Sequence, residues 1–383
     1  MKKNLSLLGS TGSIGRQTLD VARNLGLTVC ALAAHSSVKE LENQIREFKP
    51  QLVAVFDLEA AKQLKLMIAD LDVKVVQGME GLCEAASFKE ADLVLNSVVG
   101  MVGLKPTLAA IEARKGLALA NKETLVAGGR LVMDAAARNQ VKILPVDSEH
   151  SAVFQCLQGC PEQKALKRII LTASGGPFFG RTKEELRGIT PQQALKHPNW
   201  NMGAKITVDC ATMMNKGLEI MEASWLFGLP PEQIDVVVHR ESVIHSMIEY
   251  QDHSVIAQLG VPDMRIPIQY AITYPQRFPS PVSQLSLTEY GKLTFFEPDE
   301  ENFVCLKACK AAIARGGLAP AAANGANEVA VQMFLENKIS FLRIGELVLE
   351  AMEHQPEVSG TFSVDEILNA DAAAREFVLN AAG

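Results

Sequence analysis

Two carboxylates stand where a strand is predicted to end, and their spacing suits a cation. Asp147 and Glu149 flank Ser148 and follow the apolar run 141–146. In extended backbone, side chains two residues apart point to the same face, and carboxylates that close repel each other unless a cation lies between them. The triplet alone is equally compatible with a solvated loop that carries two acids.

Two other polar segments favour the cation site. Asn-Lys-Glu at 121–123 follows the apolar run 116–120. Asn215 and Glu219 are four residues apart, which places them on one face of a helix. A third carboxylate and two lysines beside a divalent cation would suit a phosphorylated, oxygen-rich substrate.

A glycine-rich turn predicts a dinucleotide site. Gly9, Gly12 and Gly15 lie between the first predicted strand and a helix, where glycine lets the backbone approach a pyrophosphate. The spacing G-x-x-G-x-x-G differs from the standard G-x-G-x-x-G, so a tight turn that only packs helix on sheet is the alternative. After the second strand, 35–37 is His-Ser-Ser with no acid before Glu40. An NAD ribose therefore lacks its usual partner there, which is compatible with NADP.

The composition limits the class of protein. A chain of 383 residues predicts two or three domains. Its 48% apolar content and formal charge of −7 are typical of a soluble enzyme, and nucleic-acid binding would need a basic stripe. We expect no membrane span, because no apolar run reaches about 18 residues. The seven cysteines without a secretory signal predict reduced thiols and a cytoplasmic location.

Short apolar runs alternate with amphipathic segments in residues 1–147, which predicts a parallel sheet covered by helices on both faces, in a Rossmann-like α/β domain. The predicted strands are 5–8, 28–34, 52–56, 73–77, 93–99, 117–120 and 142–146. Ligands bind at the carboxyl ends of such strands. The glycine turn, the segment 121–123 and Asp147 all fall there.

The pattern changes after residue 147. Residues 148–274 mix strands at 169–171, 236–238, 246–250 and 255–259 with helices around 213–226 and 264–272, which predicts an α+β domain. The Pro- and Ser-containing stretch 275–300 is predicted to be a linker, and the Ala-rich 301–383 a helical domain. The segment from about 175 to 204 has glycines at both ends and a tryptophan, so it is either a lid or a long loop packed on the core.

Several longer motifs coincide with one family. The chain resembles the 1-deoxy-D-xylulose 5-phosphate reductoisomerases, which form 2-C-methyl-D-erythritol 4-phosphate in non-mevalonate isoprenoid synthesis. The resemblance rests on these segments, in family order: 9–15 (GSTGSIG), 119–123 (LANKE), 145–152 (PVDSEHSA), 171–178 (LTASGGPF), 197–203 (HPNWNMG), 205–219 (KITVDCATMMNKGLE), 241–250 (ESVIHSMIEY), 263–271 (DMRIPIQYA) and 322–329 (AANGANEV).

The resemblance implies an NADPH domain, a connective domain with the active site, a C-terminal helical bundle, a homodimer, and one Mg²⁺ or Mn²⁺ per site. The implied metal ligands are Asp147, Glu149 and Glu219. The implied groups at the reacting sugar are Lys122, Ser148 and Glu149. The implied substrate contacts, mostly at the phosphate end, are Ser174, His197, Asn215 and Lys216, with Cys210 in the same region. The implied cofactor contacts are Thr11, Gly12, Ser13, Ile14, Asn121, Glu123 and Gly203, with His35, Ser36 and Ser37 near the 2′-phosphate. Trp200 and Met202 match the lid.

Three departures from the common family pattern stand out. Cys210 replaces a serine and is a weaker hydrogen-bond donor. The segment 35–37 lacks the usual glycine, basic residue and asparagine. Arg240 and Glu241 replace Pro-Gln after His239, with an effect that the sequence does not assign.

The residue types suit a rearrangement followed by a reduction. A hard cation on three carboxylates can polarise a keto oxygen; a retroaldol–aldol or ketol-shift route then gives an aldehyde for NADPH to reduce. Lys122 adds positive charge beside the oxyanion, and Glu149 can move a hydroxyl proton. The base and the route stay open. A plain nicotinamide dehydrogenase would explain the glycine turn but not the carboxylates, and a non-catalytic redox sensor would explain the first domain only.

Overall fold

A computed structural model of the chain describes residues 3–160, 162–200, 202–356 and 358–381. The chain forms two compact units. The first takes in the described residues up to Thr124, together with Val132–Ser151 and Asp263–Ser283. The second takes in Leu125–Leu131, Ala152–Pro262 and the described residues from Gln284 onward. The predicted division at residues 147, 274 and 300 stays a prediction.

The first unit is built on a seven-stranded parallel sheet with the order β4-β3-β2-β1-β5-β6-β7. Its strands are β1 (Asn4–Leu8), β2 (Thr28–Ala34), β3 (Leu52–Val55), β4 (Lys74–Gln77), β5 (Leu93–Asn96), β6 (Gly116–Leu119) and β7 (Ile143–Pro145). Its helices are α1 (Ser13–Leu25), α2 (Val38–Phe48), α3 (Leu58–Met67), α4 (Gly78–Ala86), α5 (Leu104–Glu112), both ends of α6 (Lys122–Asn139) and the start of α7 (Ser148–Cys156), with a further helix at Arg265–Thr273. The predicted Rossmann-like fold is confirmed.

The central strands are apolar along almost their whole length because helices cover both faces. Each of β3, β5 and the last three residues of β6 is fully buried. The predicted strand 93–99 ends early, at Asn96, because the Asn96 side chain forms hydrogen bonds with the residues that follow. The buried Asn96 amide donates to Gly103 O at 3.0 Å and Thr107 Oγ1 at 2.8 Å, and its Oδ1 accepts from Val98 N at 3.1 Å. These bonds turn the backbone out of the sheet.

The second unit contains a mixed four-stranded sheet with the order β11-β10-β8-β9. Strands β8 (Leu166–Ala173) and β9 (Ile234–Val238) are parallel, and β10 (Ile244–Tyr250) runs antiparallel to β8 and to β11 (Val255–Leu259). The remaining helices of the chain are α8 (Lys183–Leu186), α9 (Pro191–Ala194), α10 (Ala204–Ala211), α11 (Met214–Phe227), α12 (the Arg265–Thr273 helix of the first unit), α13 (Leu287–Tyr290), α14 (Val304–Arg315), α15 (Ala319–Leu335), α16 (Phe341–Glu353) and α17 (Val364–Ala381). Short 3₁₀ turns lie at Gly100–Gly103, Leu157–Gly159, Gln163–Ala165 and Pro231–Gln233.

Small residues let the helices of the second unit approach closely. Gly217 of α11 faces Cys309 of α14, and a Cβ at position 217 would lie 2.4 Å from the Cys309 Cβ. Alanines 322, 323, 326 and 330 are fully buried along α15. The α+β sheet and the C-terminal helices are confirmed as predicted elements. Within the described residues, no helix has the length and apolar character needed to cross a membrane.

Candidate active site

The glycine turn joins β1 to α1 and is closely packed at two of its glycines. Gly9 has a φ of +85°, and a Cβ there would lie 2.8 Å from Ser97 O, at the end of the neighbouring strand β5. A Cβ on Gly15 would lie 2.2 Å from Gly9 O. The turn therefore needs glycine at both positions. Gly12 and Ser13 are exposed at the N-terminus of α1, so the helix amides and dipole face solvent where a pyrophosphate can bind.

This turn lies at the topological switch point of the sheet. Strand β1 has β2 on one side and β5 on the other, and the crevice between such strands is where doubly wound folds bind nucleotides. Thr11 and Ile14 are half-buried beside the exposed Gly12 and Ser13. The structure thus gathers four predicted cofactor contacts in one turn with an open surface.

The segment after β2 is exposed and carries no acid. His35, Ser36 and Ser37 all face solvent, and Ser37 is the residue before α2. The His35 ring lies against the Phe56 ring, with centroids 5.4 Å apart. Two hydroxyls and an imidazole at this position can donate to a 2′-phosphate, whereas an NAD ribose would need a carboxylate.

Asn121 is the N-cap of α6 and holds a neighbouring turn. Its Oδ1 accepts from Thr124 N at 2.8 Å, and its amide donates to Gly100 O at 2.8 Å and to Val98 O. The residue is 2% exposed. Asn121, one of the predicted cofactor contacts, therefore also stabilises the start of α6 and the neighbouring turn, a role that the sequence did not predict.

Lys122, Asp147 and His150 form a buried charged cluster at the ends of β6 and β7. Lys122 Nζ lies 2.7 Å from Asp147 Oδ2, and His150 Nδ1 lies 2.9 Å from Asp147 Oδ1. Burial alone would raise the pKa of Asp147, but the Lys122 and His150 charges and their hydrogen bonds outweigh it and hold that pKa well below its usual range. Asp147 is therefore ionised at neutral pH, as a cation ligand must be. The sequence reasoning assigned no role to His150.

The prediction of extended backbone at 147–149 is wrong. Helix α7 begins at Ser148, so Glu149 lies in its first turn, and the two-residue alternation of a strand does not apply. The reason is local capping: Asp147 Oδ1 accepts from Glu149 N at 3.1 Å, and Asp147 O accepts from Ser151 N at 2.8 Å. The Ser148 hydroxyl donates to the Glu149 carboxylate.

In the second unit, α11 carries three predicted site residues on one face. Asn215 Nδ2 donates to Glu219 Oε1 at 2.5 Å, and Lys216 donates to Glu219 Oε2. Lys216 and Glu219 have side chains only 4% and 1% exposed. The predicted i, i+4 alignment is confirmed. Met213, just before the helix, has a φ of +62°, a strained value for a non-glycine residue, and it turns the chain sharply between α10 and α11.

Ser174 and His197, far apart in sequence, are hydrogen-bonded. His197 Nδ1 accepts from the backbone N–H groups of Asn199 (3.2 Å) and Trp200 (3.0 Å), which places the ring hydrogen on Nε2. Nε2 then donates to Ser174 Oγ at 2.8 Å. Burial, aided by the Arg240 charge, lowers the pKa of His197 to about 4, so the imidazole is neutral at pH 7.

The predicted lid segment contains two short helices, α8 and α9, each started by a capping box at Thr182 or Thr190. Its Trp200 ring lies 6.1 Å from the His245 ring, while Phe178 is buried edge-on against Phe341. Position 201 lies outside the described residues. Met202 is half-buried, Gly203 is exposed at the start of α10, and Cys210 is half-buried near its end.

The sheet, its switch point and the glycine turn define the first unit as a Rossmann-like nucleotide-binding fold. Sequence profiles of one family then cover most of the chain: 1-deoxy-D-xylulose 5-phosphate reductoisomerase over residues 5–129, its C-terminal domain over 143–227, and the DXP reductoisomerase C-terminal domain over 259–377. The chain belongs to the 1-deoxy-D-xylulose 5-phosphate reductoisomerase family.

Relatives with that name match nearly end to end. The chain is 53% identical over 380 residues to a Bacillus cereus protein, covering 98% of this chain and 99% of that one. It is 54% identical over 376 residues to a Desulfitobacterium hafniense protein, covering 97% of each.

Solved structures agree with these sequence relatives. The Zymomonas mobilis reductoisomerase in complex with NADPH has a TM-score of 0.93 at 40% identity, covering 100% of this chain and 99% of that one. A DOX-P reductoisomerase in complex with NADPH, fosmidomycin and magnesium has a TM-score of 0.94 at 40% identity, covering 99% and 98%.

Proposed function

We propose that this chain catalyses the rearrangement and NADPH-dependent reduction of 1-deoxy-D-xylulose 5-phosphate to 2-C-methyl-D-erythritol 4-phosphate, with a divalent cation. The observation that carries the proposal is the buried Lys122–Asp147–His150 cluster at the carboxyl end of a Rossmann-like sheet, in a chain of this family. A plain nicotinamide dehydrogenase would leave the proposed metal carboxylates unexplained.

The cation ligands in this proposal are Asp147, Glu149 and Glu219. All three offer carboxylate oxygens, the donors that Mg²⁺ and Mn²⁺ prefer. Asp147 is ionised, and Glu219 is kept buried beside donors on its own helix, so the residues suit a hard divalent ion. A DOX-P reductoisomerase similar to this chain has been solved in complex with magnesium, which supports a divalent cation but does not name its ligands.

The cofactor in this proposal is NADPH. Thr11, Gly12, Ser13 and Ile14 bind its pyrophosphate at the exposed N-terminus of α1, which the tight turn through Gly9 and Gly15 presents to solvent. The exposed segment 35–37 contacts the 2′-phosphate. The remaining proposed cofactor contacts are Asn121, Glu123 and Gly203.

The substrate is divided between a reacting end and a phosphate end. Lys122, Ser148 and Glu149 act at the sugar carbons. The phosphate-end contacts are Ser174, His197, Cys210, Asn215 and Lys216. The neutral His197 orients Ser174 by donating from Nε2. Lys122 and Lys216 bring positive charge to an anionic substrate.

In the reaction, the bound cation supplies Lewis acidity toward the ketone, and NADPH supplies the hydride. Lys122 stabilises negative charge that develops on the substrate oxygen, because its ammonium is fixed by Asp147 in a water-poor setting. Glu149 exchanges a proton with a substrate hydroxyl, and the Ser148 hydroxyl holds its carboxylate in place. The segment 175–204 excludes water by closing as a lid.

We also propose a homodimer in the cytoplasm that binds neither nucleic acid nor a membrane, with three domains: 1–147 for NADPH, 148–274 for catalysis, and 301–383 as a helical bundle joined by the linker 275–300. Light scattering of the purified protein tests the dimer.

The decisive assay mixes the protein, the sugar phosphate, NADPH and Mg²⁺ and follows absorbance of the nicotinamide band. We expect oxidation of NADPH that stops when a chelator is added and resumes with excess Mg²⁺ or Mn²⁺. The product is checked by mass and NMR. Turnover that persists in chelator would favour a plain dehydrogenase, and no turnover under any metal condition would exclude the proposed reaction.

A further inference from the structure

Arg240, which the proposed reaction does not use, holds the turn that carries Ser174. It follows β9 by two residues, and its Nη1 donates to the carbonyl of Ser174 and, at 2.7 Å, to that of Gly176. The guanidinium carbon lies 5.1 Å from the centre of the Phe179 ring, in cation–π range. One side chain thus fixes two carbonyls of the same turn.

The turn has a left-handed backbone conformation, and the hydrogen bonds from Arg240 hold it in place. Gly175 and Gly176 have φ values of +72° and +66°, a left-handed pair that glycine adopts without strain. The turn also packs closely against α10, since a Cβ on Gly176 would lie 2.7 Å from Cys210 O. Arg240 and Cys210, two departures from the family pattern, therefore both lie against Gly176 of this turn.

The turn controls the orientation of the Ser174 hydroxyl. Ser174 Oγ accepts from Gly176 N at 3.2 Å and from His197 Nε2 at 2.8 Å. Both bonds use its oxygen as acceptor, so its hydrogen is directed toward a third group, such as a phosphate oxygen. A shift of the Gly176 amide would release that orientation.

The charge of Arg240 is not neutralised by a carboxylate in ion-pair contact within the described part of the chain. The neighbouring Glu241 points elsewhere: it accepts from Thr294 N at 3.1 Å and Thr294 Oγ1 at 2.7 Å, and lies 3.0 Å from His239 Nδ1. Burial lowers the pKa of Arg240, against the opposing effect of the Glu241 charge. A half-buried guanidinium bonded to carbonyls raises the local positive potential, which favours an anion.

We propose that Arg240 is a positioning residue of the substrate's phosphate subsite: it fixes the Ser174–Gly176 turn and supplies positive charge that offsets the weak donor Cys210. The inference rests on the proposed function, since it takes the anion to be the phosphate of the sugar substrate. It extends that function to a residue outside the family's common pattern.

The test compares Arg240→Met, Arg240→Gln and Arg240→Lys, with Lys338→Met as control. Lys338 is an exposed residue of the same unit, outside the proposed lid and paired with Glu336 at 2.7 Å, and its loss should change nothing. Arg240→Met should raise KM for the sugar phosphate about ten- to hundredfold, the usual cost of losing hydrogen bonds from a charged group. Its kcat should stay within about threefold, and KM for NADPH should not change.

The two other variants separate charge from bonding. Lysine keeps the charge and an ammonium group that can donate, so Arg240→Lys should recover most of the loss. Glutamine keeps a donor without charge, so Arg240→Gln should be intermediate. As a readout without turnover, inorganic phosphate should raise the Tm of the wild-type protein more than that of Arg240→Met.

The inference is overturned if Arg240→Met leaves KM for the sugar phosphate unchanged, lowers only kcat, or raises KM for NADPH to the same degree as KM for the sugar phosphate. Should the methionine variant not fold, a lysine variant with a KM no better than that of the glutamine variant overturns it equally. Failure of the wild-type protein to turn over at all would instead reject the proposed function. The phosphate-dependent Tm would then still report on Arg240, and equal shifts in all variants would reject its part in anion binding.

Discussion

Replacing Lys122 with methionine removes one partner of a buried ion pair. The two charged atoms lie 2.7 Å apart, in side chains 8% and 10% exposed. At that distance the attraction is about 6 kcal/mol for an effective dielectric of about 20, and desolvation of the two groups offsets much of it. Removing one partner typically costs about 3–5 kcal/mol, because the other charge stays buried without compensation.

The lower end of that range applies here, because His150 also contacts Asp147, at 2.9 Å. We therefore expect Lys122→Met to lose about 3 kcal/mol of unfolding free energy in chelator, measured by urea unfolding. With saturating Mg²⁺ the loss should shrink to about 1 kcal/mol, because the cation supplies positive charge to Asp147 in the folded state. Turnover should stay low in both conditions, since the cation does not replace the ammonium at the substrate.

Lys89→Met, a change at an exposed lysine of the same unit, is the matched control and should stay within about 0.5 kcal/mol of the wild type. A loss below about 1 kcal/mol for Lys122→Met in chelator would refute the view that Lys122 compensates Asp147. An identical loss with and without Mg²⁺ would remove Asp147 from the cation ligands.

Three further predictions concern single groups. Glu219→Gln should lower turnover at least about hundredfold and weaken Mg²⁺ binding, measured by calorimetry. The control Glu232→Gln, at an exposed position, should do neither. Normal metal affinity in Glu219→Gln would reject Glu219 as a cation ligand. NADPH should exceed NADH in kcat/KM by at least about tenfold, because the segment 35–37 offers donors and no carboxylate, and equal values would contradict this reasoning. Cys210→Ser should lower KM for the sugar phosphate about threefold or more, since a hydroxyl is the better donor, and should leave KM for NADPH unchanged. An inactive variant would mean that the thiol has another role.

The local elements of this fold were predictable because their signals are local. Strands β2 and β11 begin and end where the apolar pattern does. The triplet at 147–149 was misjudged because an apolar run does not reveal the residue at which extended backbone gives way to a helix. Asp147 is itself the capping group that decides this, through its bond to Glu149 N.

Contacts between distant segments were less accessible to sequence reasoning. A buried histidine such as His150 has no pattern that separates a site residue from an ordinary core residue. Arg240 was visible as a departure from the family pattern, yet its partners, the carbonyls of Ser174 and Gly176, lie in another part of the chain. Only the folded arrangement of β8 beside β9 brings them together.

The contact between Gly217 and Cys309 limits which residues can be combined at these two positions. No side chain can be added at position 217 while Cys309 stays in place, since the two Cβ positions would be 2.4 Å apart. The helix that presents Asn215, Lys216 and Glu219 is thus matched by shape to a C-terminal helix that contributes none of the proposed ligands. A chimera that exchanges the C-terminal helices with those of a relative must therefore carry positions 217 and 309 from the same parent.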